Sequence, residues 1–391
     1  MFDCQSSILN DVGMLGIHLG AVKVSDLTPR YRKQRDSPFP VILDPVMLAD
    51  ILGIKKRTVY WASNPYCQSG HHKGMRKPSK GLYRIVSIEK RSRDKKGKRK
   101  KRYLQIPDKR LMYIQKKLKT KIFDKVELPE YVTGFRKGKS IVDTAKVHCN
   151  KSIVVSIDIS NYFNSIHQWH LQKMFQEMFG YAPRVSKIIS EICTYKYFVP
   201  QGAPSSPTLS NLVGYFYFDK QVKDIADKYG FDMTRYADDI TLSTDKEYPR
   251  EIVELESGVK YIQSDIDKML GEIDKVLQKS KFKLNRQKTK VMRGEARKYV
   301  VGIVTNKEPN IIMHKYKTLK CILHNLLFNS VQDEAIKTGR TEYEFLAWLR
   351  GNLNFLNQVN PRKGTPLLEK LDLILKAKGY EENIQEVSII N

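Results

Sequence analysis

Three carboxylates carry the strongest chemical signal in the sequence. Asp158 ends the apolar run Val154-Val155-Ser156-Ile157, and Asp238 and Asp239 lie side by side within RYADDITLS, residues 235–243. Adjacent acids between buried strands repel one another unless a cation neutralises them. Mg2+ suits that setting, because it is hard, binds through a few carboxylates and keeps positions for substrate phosphates and water. Two such ions about 3.5–4 Å apart can clamp the attacking and leaving oxygens of an in-line phosphoryl displacement. The plainer reading of an Asp-Asp pair is an ordinary solvent-facing turn. The apolar flanks weigh against it.

The surrounding pattern supplies elements to hold these acids. Ile153 to Ile157 reads as a buried strand, and Arg235 to Ser243 as two strands joined by a tight turn formed by Asp238 and Asp239. Pro107 starts a helix with Leu111, Ile114, Gln115 and Leu118 along one face. Residues 168–195 read as helical, and Pro204 to Phe218 as a loop entering an apolar helix. Ile262, Ile266, Met269, Ile273 and Val276 have the spacing of one amphipathic helix, a stripe expected to pack into a core. Tyr299 to Thr305 reads as a further strand, and the remainder as mostly helical. There is no repeat at solenoid periods.

Charge narrows the partner. The 391 residues carry 69 Lys or Arg against 42 Asp or Glu, a net charge of +27. That length allows two or three domains, and 41% hydrophobic with 10% aromatic residues excludes a disordered chain. The excess positive charge implies a polyanion, nucleic acid ahead of an acidic membrane surface. No apolar run reaches the roughly 18 residues of a membrane span. The N-terminus lacks the basic-then-apolar pattern of a secretion signal. A cytoplasmic protein without a membrane partner is therefore expected. Cys4, Cys67, Cys149, Cys193 and Cys321 are scattered, with no CxxC pair, and read as packing thiols in a reducing compartment. Cys67 with His71 and His72 lacks the second ligand cluster of a tetrahedral metal site.

The charge is concentrated. Residues 51–122 hold 24 Lys or Arg against three acids, Glu89, Asp94 and Asp108, whereas residues 311–391 hold 11 basic and 9 acidic residues. The densest run, Lys90 to Arg102, lies between strand-like stretches, Leu82 to Ile88 and Tyr103 to Ile106, with a turn signal at Asp94-Lys95-Lys96-Gly97. It reads as a basic β-hairpin that grips phosphates by counterion release. A nuclear localisation signal is the alternative.

Seven blocks in order then carry a family resemblance: RYLQIP (102–107), GFRKGKS (134–140), SIDISNYFNSI (156–166), PQGAPSSPTLSNL (200–212), TRYADDITLS (234–243), LNRQKT (284–289) and YVVGIVTN (299–306). Over most of residues 80–360 the chain resembles the reverse transcriptases, and among them the bacterial retron type. The resemblance implies an α+β right-hand polymerase fold. An N-terminal extension (1–50) would precede fingers with the basic hairpin (51–150). An antiparallel-sheet palm with inserted finger helices (151–310) and a helical thumb (311–391) would follow.

The same resemblance assigns roles one position at a time. Asp158, Asp238 and Asp239 match the catalytic, metal-binding acids, with the Ile159 carbonyl a further ligand, for two Mg2+ that Mn2+ could replace. Phe163 matches the aromatic steric gate that selects dNTPs, the plainer alternative being a core Phe at a strand-to-helix turn. Gln201 and Gly202 match the loop at the incoming nucleotide and template. Arg102, with Lys96 or Lys98, would contact the triphosphate. Lys288 matches a lysine near the pyrophosphate, with a helix-cap or surface lysine as the alternative. Nucleic-acid contacts are expected from Lys98, Arg99, Lys100, Lys101, Arg136, Lys137 and His148.

The retron branch rests on fewer residues. Thr144-Ala145-Lys146-Val147-His148 keeps the Ala and His of an Asn-Ala-x-x-His segment but has Thr for Asn. Val300-Val301-Gly302 stands where Val-Thr-Gly is typical. GNLNFLNQVNP (351–361) resembles the thumb segment, and the short remainder leaves no room for maturase and endonuclease extensions, which favours the retron over the intron reading. The partners implied are a cognate noncoding RNA of the msr–msd type as primer and template, dNTPs, the branched RNA–DNA product (msDNA), and an effector protein in anti-phage defence. The alternatives are another defence-associated or group II-like reverse transcriptase with conventional or protein priming, and an RNA-binding protein with an idle site.

Overall fold

The protein is described by a computed structural model covering residues 40–64, 81–93, 97–248, 251–254 and 260–380. Cys67, His71, His72, Lys96 and most of the N-terminal extension lie outside the described residues. The chain divides into two compact units, each built from two separate stretches.

The first unit takes residues up to Val126 together with His167–Ser205. Its helices are Pro45–Leu52, Lys56–Ser63, Lys109–Lys121, Gln168–Glu177 and Pro183–Cys193. Asp108 fixes the start of the third, its carboxylate accepting from the Leu111 N–H at 2.8 Å. That helix buries Leu111, Ile114, Gln115 and Leu118, the face expected from the sequence. Pro107 is the last residue of the preceding strand rather than the first of the helix. The stretch 168–195 is two helices, because Gly180 turns left-handed at φ +73° and Pro183 restarts the chain. Strands Tyr83–Arg93 and Arg99–Pro107 pair antiparallel as an isolated two-stranded ribbon, from Tyr83 opposite Pro107 to Arg93 opposite Arg99. The basic hairpin is therefore present, and longer than the two apolar stretches alone indicate.

The second unit takes Glu127–Ile166 and residues from Ser206 onward. Its centre is a four-stranded antiparallel sheet in the order Asp232–Tyr236, Asp239–Thr244, Ile153–Asp158, Lys290–Arg293. Helix Ser206–Gly214 runs through a π-helical turn, Tyr215–Asp219, into helix Lys220–Lys228. Helix Asp265–Lys279 begins later than its stripe predicts. Ser264 and Asp267 form a capping box there, leaving Ile262 on the short strand Lys260–Gln263. Residues 299–305 are a hairpin rather than one strand. Tyr299–Val300 pairs with Ile303–Val304 around Val301 and Gly302, which turn left-handed at φ +45° and +87°.

Helices Met313–Asn325, Val331–Lys337, Glu342–Val359 and Pro361–Ala377 complete this unit. They share one apolar core, including Leu319, Phe345, Leu353 and Leu371, with Val142 and Ala145 of helix Ile141–Val147. Among the described residues no helix is long and apolar enough to cross a membrane.

Candidate active site

The sheet brings the sequence-selected acids to one edge. Asp158, last residue of its strand, lies directly opposite Asp239, first residue of the neighbouring strand. Tyr236 also pairs with Asp239, so the tight turn consists of Ala237 and Asp238, and Asp239 already belongs to the strand. Ala237 holds φ +56°, a conformation a Cβ disfavours. The Ile159 N–H donates to the Asp238 carbonyl at 3.1 Å, tying the turn to the end of the adjacent strand.

Electrostatics at this edge are those of crowded carboxylates. Burial, then the charges of Asp238 and Asp158, raise the Asp239 carboxyl to about 6 against the pull of Lys288. Asp158 is buried but satisfied: Asn285 Nδ2 donates to Oδ2 at 2.9 Å and Lys288 Nζ to Oδ1 at 2.8 Å. The Asn285 N–H also donates to the Asp158 carbonyl at 2.8 Å. Lys288 is neither a helix cap nor an idle surface lysine, and hydrogen bonding to Asp158 raises its pKa.

The turn is held from behind by Arg235, which no sequence argument singled out. Its guanidinium is fully buried, gripping Asp219 through Nε and Nη2 at 2.7 Å each. Its Nη1 donates to the Ala237 carbonyl at 3.1 Å and to Asn211 Oδ1 at 3.2 Å. Gly214 makes room for it, since a Cβ there would lie 2.8 Å from the Arg235 Cζ. The strand Asp232–Tyr236 is itself mostly polar and gives no apolar pattern against which a buried Arg235 would stand out; once buried, its charge demands a partner.

Phe163 lies on the one-turn helix Tyr162–Ser165 that follows the Asp158 strand, half-buried, edge-on to Tyr162 at 6.1 Å. It is not a core side chain.

Two residues expected at the nucleic acid make internal contacts. His148 is fully buried, with Nδ1 2.7 Å from Ser243 Oγ and Nε2 2.7 Å from Thr234 Oγ1. It joins the end of helix Ile141–Val147 to two sheet strands, and burial pushes its pKa down to about 4. Arg136 turns back on its own loop, donating to the carbonyls of Pro129 and Val132 at 2.7 and 3.0 Å. Lys137 is exposed. Thr144 retains a polar function, its hydroxyl donating to Thr133 Oγ1 at 2.8 Å, while Thr133 donates to the Arg235 carbonyl at 3.2 Å.

Within the first unit, Gln201 and Gly202 are locked to the ribbon. Gln105 N donates to the Gln201 carbonyl at 2.7 Å, and the Gln201 N–H to Gln105 Oε1 at 2.9 Å. Gly202 takes φ +123°, and a Cβ there would sit 3.0 Å from the Gln105 carbonyl oxygen. Lys98, Arg99, Lys100, Lys101 and Arg102 are all exposed. Alternation along the strand puts positive charge on both faces of the ribbon.

The donor set suits a hard divalent cation: carboxylate oxygens on paired strands, with mutual repulsion that a cation would relieve. Among the described residues no three carboxylate, imidazole or thiol groups already converge on one point. The Lys288 ammonium supplies positive charge to Asp158 in their place.

Comparison with known proteins agrees with the motif order. Residues 88–347 match the family described as reverse transcriptase (RNA-dependent DNA polymerase). The retron Ec86 reverse transcriptase of Escherichia coli is 26% identical over 298 residues, 76% of this chain and 82% of that protein. The retron Se72 reverse transcriptase of Salmonella heidelberg is 32% identical over 205 residues, 52% of this chain and 49% of that protein. Among solved structures, a telomerase from Candida albicans aligns with TM-score 0.41 and 14% identity, over 79% of this chain and 66% of that one. With well over half of its length matched, the chain belongs to the reverse transcriptase family of RNA-directed DNA polymerases, and its curated relatives are retron reverse transcriptases.

Proposed function

We propose that this polymerase copies a cognate structured noncoding RNA into a branched RNA–DNA product and serves in retron anti-phage defence. The observation that carries the catalytic part is Asp158 facing Asp239 across paired strands, next to Asp238, with the Asp239 carboxyl raised to about 6. Divalent cations, Mg2+ in this reading, would be held by Asp158, Asp238, Asp239 and the Ile159 carbonyl, and when bound supply the charge that phosphoryl transfer requires. Lys288 holds Asp158 in place through its Nζ hydrogen bond and carries a proton at Nζ beside the site. Phe163, half-buried on the next turn, excludes a ribose 2′-OH in this reading.

Arg102, Gln201 and Gly202 take their nucleotide roles from the motif resemblance. In the same reading the ribbon and its helices are fingers, the four-stranded sheet is the palm, and the four C-terminal helices are the thumb. The names of the relatives support the retron assignment. An msr–msd RNA, dNTPs and an effector protein are the partners that this reading adds.

The test is primer extension on an RNA template with dNTPs and Mg2+. Asp238→Ala combined with Asp239→Ala should abolish DNA synthesis while RNA binding survives. Continued extension by the double variant overturns the site assignment. Sequencing the nucleic acid co-purified from the native locus should show an RNA with 2′-linked cDNA. A linear, conventionally primed product would move the chain out of the retron reading.

A further inference from the structure

In the first unit, four aromatic rings gather where helix Gln168–Glu177 begins. His167 is the hub. Its ring centroid lies 5.1 Å from Phe198, edge-on, 6.0 Å from Tyr197 with the two planes 6° apart, and 6.5 Å from Trp169. The outer rings are not core residues: Tyr197 is 62% exposed, Phe198 41% and Trp169 40%. Single exposed apolar side chains need no explanation, but a cluster of them does.

The cluster is displayed on a tight turn. The Tyr195 N–H donates to the Phe198 carbonyl at 2.8 Å and the Phe198 N–H returns the bond at 3.1 Å. Lys196 and Tyr197 are thus its two central residues, at φ +48° and +69°. Left-handed backbone at both positions belongs to a turn that ordinarily selects Asn and Gly. Here it presents a cation and a large ring, both exposed. The Gln168 N–H donates to the Tyr197 carbonyl at 2.7 Å, fixing the turn to the helix start. From Phe198 the chain runs directly into the Gln201–Gly202 loop.

We infer that Tyr197, flanked by Phe198 and Trp169, is a stacking platform for unpaired bases of the RNA template, with Lys196 taking an adjacent phosphate. Single-stranded RNA is recognised by bases splayed onto aromatic side chains. Such platforms tolerate any sequence, because every base offers a π-face. A copying enzyme needs that tolerance. The charge at the turn and the net charge of +27 match a polyanion rather than an apolar protein partner. The inference rests on the polymerase reading and extends it to a template site in the first unit.

The test uses the full chain and fluorescence anisotropy with a labelled single-stranded RNA and the same RNA as a duplex. Tyr197→Gly removes the ring while suiting the left-handed backbone, so loss of binding is not loss of the turn. It should weaken single-strand binding about tenfold and leave the duplex nearly unaffected. Tyr197→Trp should bind as wild type. Lys196→Ala should lower the slope of log affinity against log salt by about 0.7. Unchanged single-strand affinity in Tyr197→Gly, or an equal loss on duplex, overturns the platform. A parallel primer-extension assay separates the two claims. A wild type that extends primers while Tyr197→Gly binds normally refutes the platform alone. A wild type that cannot extend refutes the polymerase reading, whatever the binding result.

Discussion

Arg235 and Asp219 form a two-pronged ion pair with no solvent exposure, directly behind the turn that carries Asp238. Burial pushes the Asp219 carboxyl up against the pull of Arg235, while burial works against the guanidinium charge and Asp219 holds it. Breaking a buried pair by removing one partner strands a charge and costs about 3–5 kcal/mol, whereas replacing both with apolar residues is often close to neutral. Arg235→Met should therefore lower the denaturation midpoint sharply, and Arg235→Met with Asp219→Leu should recover most of the loss. The double variant should still make DNA poorly, because the Ala237 carbonyl loses its donor. If it destabilises as much as the single change, the pair is not the source of the effect.

His148 predicts a pH dependence of stability. Its folded pKa of about 4 lies below the ordinary 6.5 because burial penalises the imidazolium; the charge of Asp232 pulls it back up and Lys151 repels it. The unfolded chain takes up the proton first, so its share of stability is complete above about 6.5 and is lost as pH falls toward 4. A shift of that size corresponds to about 3 kcal/mol. Urea midpoints from pH 7 to pH 4 should fall more steeply for wild type than for His148→Gln. Parallel curves would show that the histidine does not drive the acid loss.

Phe163 is half-buried on the turn that follows the Asp158 strand. Phe163→Ala should reduce discrimination between dNTPs and NTPs about tenfold or more, since one group in a fitted pocket is worth that much. Single-nucleotide incorporation kinetics give the ratio. Unchanged selectivity would reduce Phe163 to a neighbour of Tyr162.

Lys98, Arg99, Lys100 and Lys101 form an exposed basic run, in which the pair of Arg99 with Glu89 at 3.2 Å is solvent-exposed and therefore weak. Changing all four to Ala should flatten the log–log salt dependence of single-stranded RNA binding by about 3. The same slope in the variant would assign the run to a protein partner or to targeting.

Legibility in the sequence followed the range of the interactions. The Asp158 strand is a run of β-branched residues, and the face of helix Lys109–Lys121 follows simple periodicity, so both could be read locally. Element ends were harder. The helix starting at Asp265 is set by a capping box that overrides the apolar stripe from Ile262, and the hairpin at Val301 depends on a left-handed valine that propensity disfavours. At the site, the acids were visible because their types and flanks are unusual. The groups that hold them were not. Ser243 and Thr234, which receive the His148 ring, lie 95 and 86 residues away, and Asn211 and Asp219 reach Arg235 only after the chain has folded back. Motif membership alone placed His148 at the RNA, where burial keeps it from reaching.

The two compact units have a consequence for synthesis. The first is made of the stretch ending at Val126 and a second from His167 to Ser205, and the other unit is interleaved with it. Emerging from a ribosome at roughly 5–20 residues per second, the early ribbon and helices wait on the order of 4–16 s for the partner segment that completes them. The sheet waits longer, since its outer strand ends at Arg293. No cut in the linear chain can release either unit whole. A truncated gene would yield an incomplete core rather than a smaller enzyme, and dissection would need the two stretches of one unit joined directly by a new linker, because even circular permutation keeps them alternating with the other unit's.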